Sequence, residues 1–503
     1  MKRKHFLSTF LFLVLVFTSV AQPVNNQKRE IHGSVVDSAT HAPLLYTSIY
    51  VANHNKGVIS NENGLFSLDV SGMSNTDTIC FHYIGYKTIC FPVGLLDTNA
   101  VIYLPEDIYD LNETLVFGNA PDARWIVKKV TENKEMNYQP ATRVGQTFIR
   151  YRNITDFKTF RLIYKGSTIP DLGEEELKLL EDKIPKYTTS YTDFLGKIYR
   201  TKNKEDSVRL KVDPVRTVEL KEKEIDELRQ FETLFETLVS ETGEDEYWKV
   251  KTGVLSEKID KPEPDTVPRK DTLNENKRKL EYFSKGIEGR LSYSGLDDRN
   301  RWEFLYQTGR YEYSLLGGTT VNGEDVYIID FTPKNSGLYL GRLYISVETY
   351  ALIRADYEYA AGKIGRDIHL LGIGYTENQF DGSISFEKKN GNYVLKYFST
   401  RTGTTGSINR DVEISKKRSR ALFDKELMDF DIGLEIVVEM ENSAEYLVLD
   451  DREISETEYR NFTQPEFMDI IYVDQFDDNL WNGYSIIEPT RRMKEYKKQA
   501  VEY

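Results

Sequence analysis

The chain has 503 residues and carries 80 acidic against 66 basic side chains, for a formal net charge of −14. That acidity, with no basic block in the body of the chain, repels phosphate backbones and excludes nucleic acid as an expected partner. Apolar residues make up 40% of the whole, enough for a sizeable core, and a body of roughly 480 residues has room for two or three domains.

A targeting segment comes first. Lys2, Arg3 and Lys4 form a basic start, residues 6–17 form an apolar stretch of signal-peptide length, and Ser19-Val-Ala21 offers small residues for a peptidase. The pattern predicts a signal peptide over residues 1–21, cleaved after Ala21, and no cysteine nearby could take a lipid. No later run reaches the eighteen or so apolar residues of a spanning helix, so none is expected after the signal peptide.

From residue 28 to about 118 short strands alternate with turns. Glu30-Ile-His-Gly-Ser-Val-Val-Asp37 reads as a strand, residues 44–52 as a second, and residues 65–70 as another entered through the Asn63-Gly64 tight turn. Residues 100–104 supply a closing strand. Between them, Cys80-Phe-His-Tyr-Ile-Gly-Tyr-Lys-Thr-Ile-Cys90 holds the only two cysteines, with Gly85 at its midpoint. A hairpin loop at 84–86 pairs Cys80 with Cys90, whose Cβ atoms would then lie about 4.5–5.5 Å apart. In an oxidising compartment this is a disulfide candidate; otherwise the two pack as small buried thiols. Neither reading makes a redox motif.

The ordered series Ile31-His-Gly-Ser-Val-Val-Asp37, Pro43-Leu-Leu-Tyr-Thr-Ser-Ile49, Gly57-Val-Ile-Ser-Asn-Glu-Asn-Gly-Leu-Phe66 and Tyr83-Ile-Gly-Tyr-Lys87 resembles the carboxypeptidase regulatory-like domain over about 90 residues. The resemblance implies a prealbumin-like, seven-stranded β-sandwich without peptidase chemistry. It also implies the setting in which such domains recur, the front of Gram-negative envelope proteins that include TonB-dependent receptors. Together with the leader it places the expected product in the periplasm or on the periplasmic face of the outer membrane.

Residues 119–503 read as an α+β envelope domain. Asn119-Ala-Pro-Asp122 is a helix-start cluster, and Ala123, Ile126, Val127 and Val130 fall on one helical face that is expected to end near 137–138. Residues 174–183 and 218–240 favour helix, the second with Leu228, Phe231, Leu234, Phe235 and Leu238 on one face. Residues 258–279, rich in Pro, Asp and Lys, read as a flexible loop.

From residue 311 the strand pattern returns. In Tyr350-Ala-Leu-Ile-Arg-Ala-Asp-Tyr-Glu-Tyr359 the odd positions from Ala351 are apolar, so the spacing predicts a half-buried antiparallel strand with Ile353 and Tyr357 inward. It follows Gly341-Arg-Leu-Tyr-Ile-Ser-Val347, with Leu343, Ile345 and Val347 inward, across a turn at 348–349. Asn390-Gly391 closes another hairpin, whose register puts Phe386 opposite Leu395 and Ile384 opposite Tyr397. The fold class expected is mainly β: an N-terminal sandwich, then a curved antiparallel sheet with flanking helices. Residues 321–333, the strand from Gly341 and residues 472–489 resemble segments of envelope proteins with this N-terminal domain and the curved sheet of periplasmic lipoprotein-carrier folds.

Catalytic chemistry is not indicated. His32, His41, His54, His82 and His369 begin no HExxH or HxxE pattern, and neither a G-x-S-x-G elbow nor a P-loop occurs. Asp474, Asp477, Asp478 and Asn479 lack the alternation, central Gly and late Glu of a calcium loop and read as a solvated turn before Trp481. No catalytic, cofactor-binding or metal-binding residue is therefore assigned. The function expected is a non-catalytic structural or interaction protein with envelope proteins as partners. The alternative is a carrier of an apolar ligand such as a lipid or acyl chain, held on the face of Ile345, Ile353, Tyr357, Phe386 and Leu395.

Overall fold

The structure is a computed structural model that describes residues 29–494 except 55–56, 98, 110–120, 140, 171, 203–207, 221–232, 235–236, 239–240, 254, 260–276, 322, 421–422, 482–483, 485 and 491–492. The expected signal peptide, with the cleavage expected after Ala21, and residues 495–503 therefore lie outside the described residues. The chain divides into two compact units, Met1–Glu106 with Trp481–Thr490, and Asp107–Leu480 with Arg491–Tyr503.

Among the described residues the first unit has seven strands in two sheets. β1 (Glu30–Asp37) lies between β4 (Leu65–Asp69), antiparallel, and β7 (Ala100–Leu104), parallel. The second sheet runs in the order β3 (Gly57–Ile59), β2 (Ser48–Val51), β5 (Thr78–His82), β6 (Ile89–Pro92). Alternate apolar positions close on one core that includes Ile31, Val35, Ile49, Phe66, Phe81 and Leu104. Gly64 takes φ +71° in the expected tight turn, where a Cβ would stand 2.5 Å from the Val35 carbonyl.

The second strand is shorter than residues 44–52, because Tyr46 sits at φ +62° and Thr47 Oγ1 and Ser60 Oγ both donate to the Leu44 carbonyl, holding a turn there. Trp481–Thr490, at the far end of the sequence, belongs to this unit. Ile487 bridges Ile59 in parallel, and Asn61 Nδ2 donates to the Pro489 carbonyl at 3.1 Å.

The second unit is built on one large curved sheet. Its strands are β8 (Arg143–Ser167), β9 (Tyr187–Lys202), β10 (Val208–Leu220), β11 (Glu246–Thr252), β12 (Leu255–Ile259), β14 (Tyr311–Val321), β15 (Glu324–Pro333), β16 (Tyr339–Ser346), β17 (Leu352–Tyr359), β18 (Asp367–Leu370), β19 (Ile373–Lys389), β20 (Asn392–Arg418), β21 (Lys425–Glu453) and β23 (Ile471–Val473). The order is β14-β15-β16-β17-β19-β20-β21-β8-β9-β10-β23, with β11 joined to β20, β12 to β11 and β18 to β19. β13 (Lys277–Lys279) and β22 (Phe467–Asp469) form a separate pair.

Helices cover part of the sheet. α1 (Ala123–Glu132) starts at Asp122, whose carboxylate accepts from the Trp125 N–H, and buries Ala123, Ile126, Val127 and Val130 as their spacing requires. It stops at Asn133, and α2 (Lys134–Asn137) follows. α3 (Glu174–Lys183) and α4 (Leu280–Leu291) pack by Leu177 and Leu180 and by Leu280 and Ile287. Residues 218–220 are strand rather than helix, since they continue β10 beside β9. Leu234 and Leu238 join the apolar cluster of Trp248 and Phe430, while Leu228, Phe231 and Phe235 lie outside the described residues. The ends of the expected loop at 258–279 are strand, in β12 and β13, and residues 260–276 between them are not described.

Two bulges alter the register read from the sequence. In β17 Arg354 pairs with Tyr344 but Leu352 pairs with Ile345, so Ile353 is an extra residue and Leu352 takes its expected place in the main core. In β20 Leu395 opposes Phe386 but Tyr397 opposes Ser385, so Lys396 is extra and Ile384 faces Phe398, not Tyr397. Lys396 Nζ donates to the Val448 carbonyl at 2.9 Å, and burial holds its pKa below the usual lysine value.

Candidate functional site

Cys80 and Cys90 oppose each other across β5 and β6, with Cα atoms 4.1 Å apart, and are joined by a disulfide. The bond crosslinks adjacent strands of the first unit. In the same unit, Asp37 accepts from the backbone N–H groups of Thr40 and Ala39 and from the Tyr86 hydroxyl. The Thr40 N–H is the largest of the stabilising contacts that together hold its carboxyl at about 2, against the opposing effect of burial.

The five residues of the expected ligand face separate. Ile345, Tyr357 and Leu395 lie inside the main apolar cluster, packed among Leu343, Leu352, Phe331 and Phe398, with the rings of Trp302 and Phe304 tilted against Tyr357. Phe386 packs at the margin of that cluster and, with the bulged Ile353, lines an open cleft of about 620 Å³. These five therefore form no single ligand face: three fill a core, and two look into a cleft whose other walls are largely charged.

The cleft lies where three hairpins turn. The β14–β15 turn contributes Val321, Gly323, Glu324 and Asp325, the β16–β17 turn Val347 and Glu348, and the β19–β20 hairpin Glu387, Lys388 and Tyr393. Glu324 Oε1 accepts from the hydroxyls of Ser346 and Tyr393 and stands 3.5 Å from Lys388 Nζ. Lys388 is also 3.8 Å from Glu348 and 5.5 Å from the centre of the Tyr393 ring. Burial works against its charge, but the Tyr393 oxygen and Glu324 outweigh it and raise the lysine pKa. Sequence reasoning missed these residues. The available signal was the acidic turn Asn322-Gly-Glu-Asp325, which means little until the other hairpins converge on it.

A second surface was also missed. Leu370, Ile373, Ile408, Ile436 and Phe160 are successive cross-strand partners over β18, β19, β20, β21 and β8 and so share one face. Ile368, Tyr375, Gly406 and Val438 form the adjoining row. The opposite face carries polar partners such as Asn409, Glu435 and Arg161. Ile408, Ile436 and Phe160 are half-buried, whereas Ile368, Leu370, Leu371 and Ile373 are 48–67% exposed. Among the described residues β18 pairs with β19 alone. Leu371 turns this hairpin at φ +50°, a conformation that costs a non-glycine residue roughly 1 kcal/mol and usually falls to Asn or Gly.

Buried charges brace the sheet. Arg150 Nε and Nη2 donate to the two oxygens of Asp193 at 2.7 Å, both side chains almost fully buried. Arg143 Nε and Arg200 Nη2 converge on Asp451 at 2.6 and 3.2 Å. Burial lowers the pKa of Arg200 despite Asp451. Asp477 Oδ1 accepts from the Asn479 N–H and its amide at 2.9 Å, and Trp481 is buried. Among the described residues no group of three or more His, Cys, Asp or Glu side chains is placed to hold a metal ion.

Comparison with known proteins bears first on the N-terminal sandwich. Residues 31–116 match the CarboxypepD_reg-like domain. That domain accounts for the first unit's two-sheet architecture and for the ordered motifs that resemble it. No curated protein matches the chain. Among solved structures, MucB in complex with MucA(peri) aligns at 10% identity, covering 66% of this chain and 100% of that one, with a TM-score of 0.18. A domain named for outer membrane lipoprotein sorting, from Vibrio parahaemolyticus, aligns at 9% identity over 67% of this chain and 97% of its own, with a TM-score of 0.20. A DUF1329 family protein from Desulfovibrio piger aligns at 11% identity over 68% and 98%, with a TM-score of 0.18. Superpositions this loose carry no argument about ligand or partner. No described helix is long and apolar enough to cross a membrane.

Proposed function

We propose that this chain is a non-catalytic interaction protein of the cell envelope, exported to the periplasm or the periplasmic face of the outer membrane, where it binds other envelope proteins. The leader ending at Ala21, the disulfide and the carboxypeptidase regulatory-like domain support that setting. One observation carries the binding role: the apolar row from Phe160 to Leu370 runs out across five strands and ends, exposed, on β18, which among the described residues has β19 on one side and no strand on the other. An apolar face that reaches an open sheet edge suits a partner able to supply both apolar side chains and backbone hydrogen bonds. Lipid would leave those edge groups unsatisfied. The carrier reading has less to rest on, since Ile345, Tyr357 and Leu395 are occupied in packing the core.

The test is crosslinking and affinity capture from envelope extract with the mature chain, compared with an Ile368→Asp/Leu370→Asp variant. Capture of a defined protein should fall at least about tenfold in the variant while its circular dichroism stays unchanged, as expected for charges placed at exposed interface positions. Equal capture by the two chains, or no protein above background with either, sinks the reading. Leu371→Asn should stabilise the hairpin by up to about 1 kcal/mol while weakening capture, which would show that the strained leucine is kept for its contact.

A further inference from the structure

The cleft at the turns of β14–β15, β16–β17 and β19–β20 holds two chemistries. Val347 and Phe386, half-buried over the buried Val321 and Ile353, make an apolar wall, and Glu324, Asp325, Glu348 and Glu387 bring four carboxylates to the cleft, with Lys388 standing among them and Lys389 Nζ 3.5 Å from Glu387. At about 620 Å³ it has the size of ordinary small-ligand sites. The protein already holds a cation in this place: Lys388 stands between Glu324 and Glu348 beside the Tyr393 ring. That geometry combines carboxylate pairing with the attraction of an aromatic ring for a positive charge. The Lys388 pKa is displaced in the direction a cation-favouring field requires.

We infer that this cleft binds a lysine or arginine side chain presented on an apolar polypeptide segment, the aliphatic stem and its apolar neighbours lying on Phe386 and Val347 and the charged head meeting the carboxylates of Glu348 and Glu387. Charge complementarity selects a cation, and the apolar wall selects a cation on an apolar carrier over a free polyamine. Lys388 competes with the ligand for the same field. The site lies at different hairpins from the β18 surface and does not depend on it.

The experiment uses the full mature chain and a fluorescein-labelled octapeptide of alternating Leu and Lys, followed by anisotropy at low salt, where exposed charge pairs act most strongly. Matched peptides of alternating Leu–Glu and Ser–Lys, and spermine, are the comparison ligands. The Leu–Lys peptide should bind, the others much less. Glu348→Gln with Glu387→Gln should weaken binding about tenfold, from two exposed ion pairs of ordinary strength. Lys388→Met should tighten it several-fold by removing the internal competitor. Glu174→Gln with Glu175→Gln on α3 and Leu370→Asp on β18 should leave it unchanged. The inference is overturned if the Glu348/Glu387 variant binds like the parent chain, if Lys388→Met weakens binding, or if Leu370→Asp abolishes it. Equal binding of spermine, of the Ser–Lys peptide or of the Leu–Glu peptide overturns it as well.

Discussion

In the first unit, two small sheets close on a core of apolar side chains, and the Cys80–Cys90 bond ties neighbouring strands together. In the second unit, the sheet is long and bulged and is braced by ion pairs on buried carboxylates, Arg150 with Asp193 and Arg143 and the part-exposed Arg200 with Asp451. The difference follows from size. A sandwich of under ninety residues buries proportionally little surface, so a covalent constraint on its unfolded state matters. A sheet this large has apolar surface to spare and can carry buried ion pairs, which add little net stability but penalise any arrangement that separates them.

The comparison can be broken at the charges first. Asp193→Ala should take the two-pronged carboxylate partner from the buried Arg150 guanidinium and destabilise the second unit by about 3–5 kcal/mol, read by denaturant unfolding with hydrogen exchange assigning the loss to β8 and β9. Replacing both Arg150 and Asp193 by apolar residues of similar volume should cost less than the single change. If the single variant unfolds no more readily than the parent, the bracing role fails.

The next effect is covalent. Closing the loop between Cys80 and Cys90, at a sequence separation of 10, predicts a loss of about 3 kcal/mol on Cys80→Ser with Cys90→Ser. Hydrogen exchange should rise in β5 and β6 and stay unchanged in β8. Equal loosening of both units would mean that they do not hold themselves together separately.

The smallest effect is protonic. The Asp37 carboxyl, lowered to about 2 from 3.8 by the Thr40 N–H and its other partners, stabilises the folded first unit above the unfolded value and loses that contribution as pH falls from about 4 to about 2. Asp37→Asn should remove this component of the acid transition in the first unit while leaving that of the second. An unchanged transition would show that the turn contacts of Asp37 do not differ in strength between the charged and neutral forms.

The parts legible from sequence were those with local causes. The β1 pattern from Glu30 to Asp37, the helical spacing of Ala123, Ile126, Val127 and Val130, and the helix from Glu174 to Lys183 each arise from periodicity within a dozen residues, and the structure has them. The hairpin at Asn390-Gly391 fixed its own first pairs through its turn, but Lys396 shifted the remainder by one residue. The same event in β17 gave the place opposite Ile345 to Leu352 and left Ile353, still buried, behind the cleft. A bulge depends on how two strands twist and on what packs over them, and neither strand contains that information alone.

Composition, alternation and turn chemistry thus determined that this chain is mainly β, that its front is built of short strands, and that Cys80 and Cys90 stand within reach of each other, because each of these follows from neighbours along the chain; the regulatory-like sandwich was implied by the resemblance of its motifs. Only the tertiary structure decided which strands meet across hundreds of residues. It placed Ile487 beside Ile59 and Arg143 against Asp451, and it gathered the carboxylates of three separate turns around Lys388. Such contacts are set by the packing of whole sheets, where one residue of register moves a side chain to the opposite face.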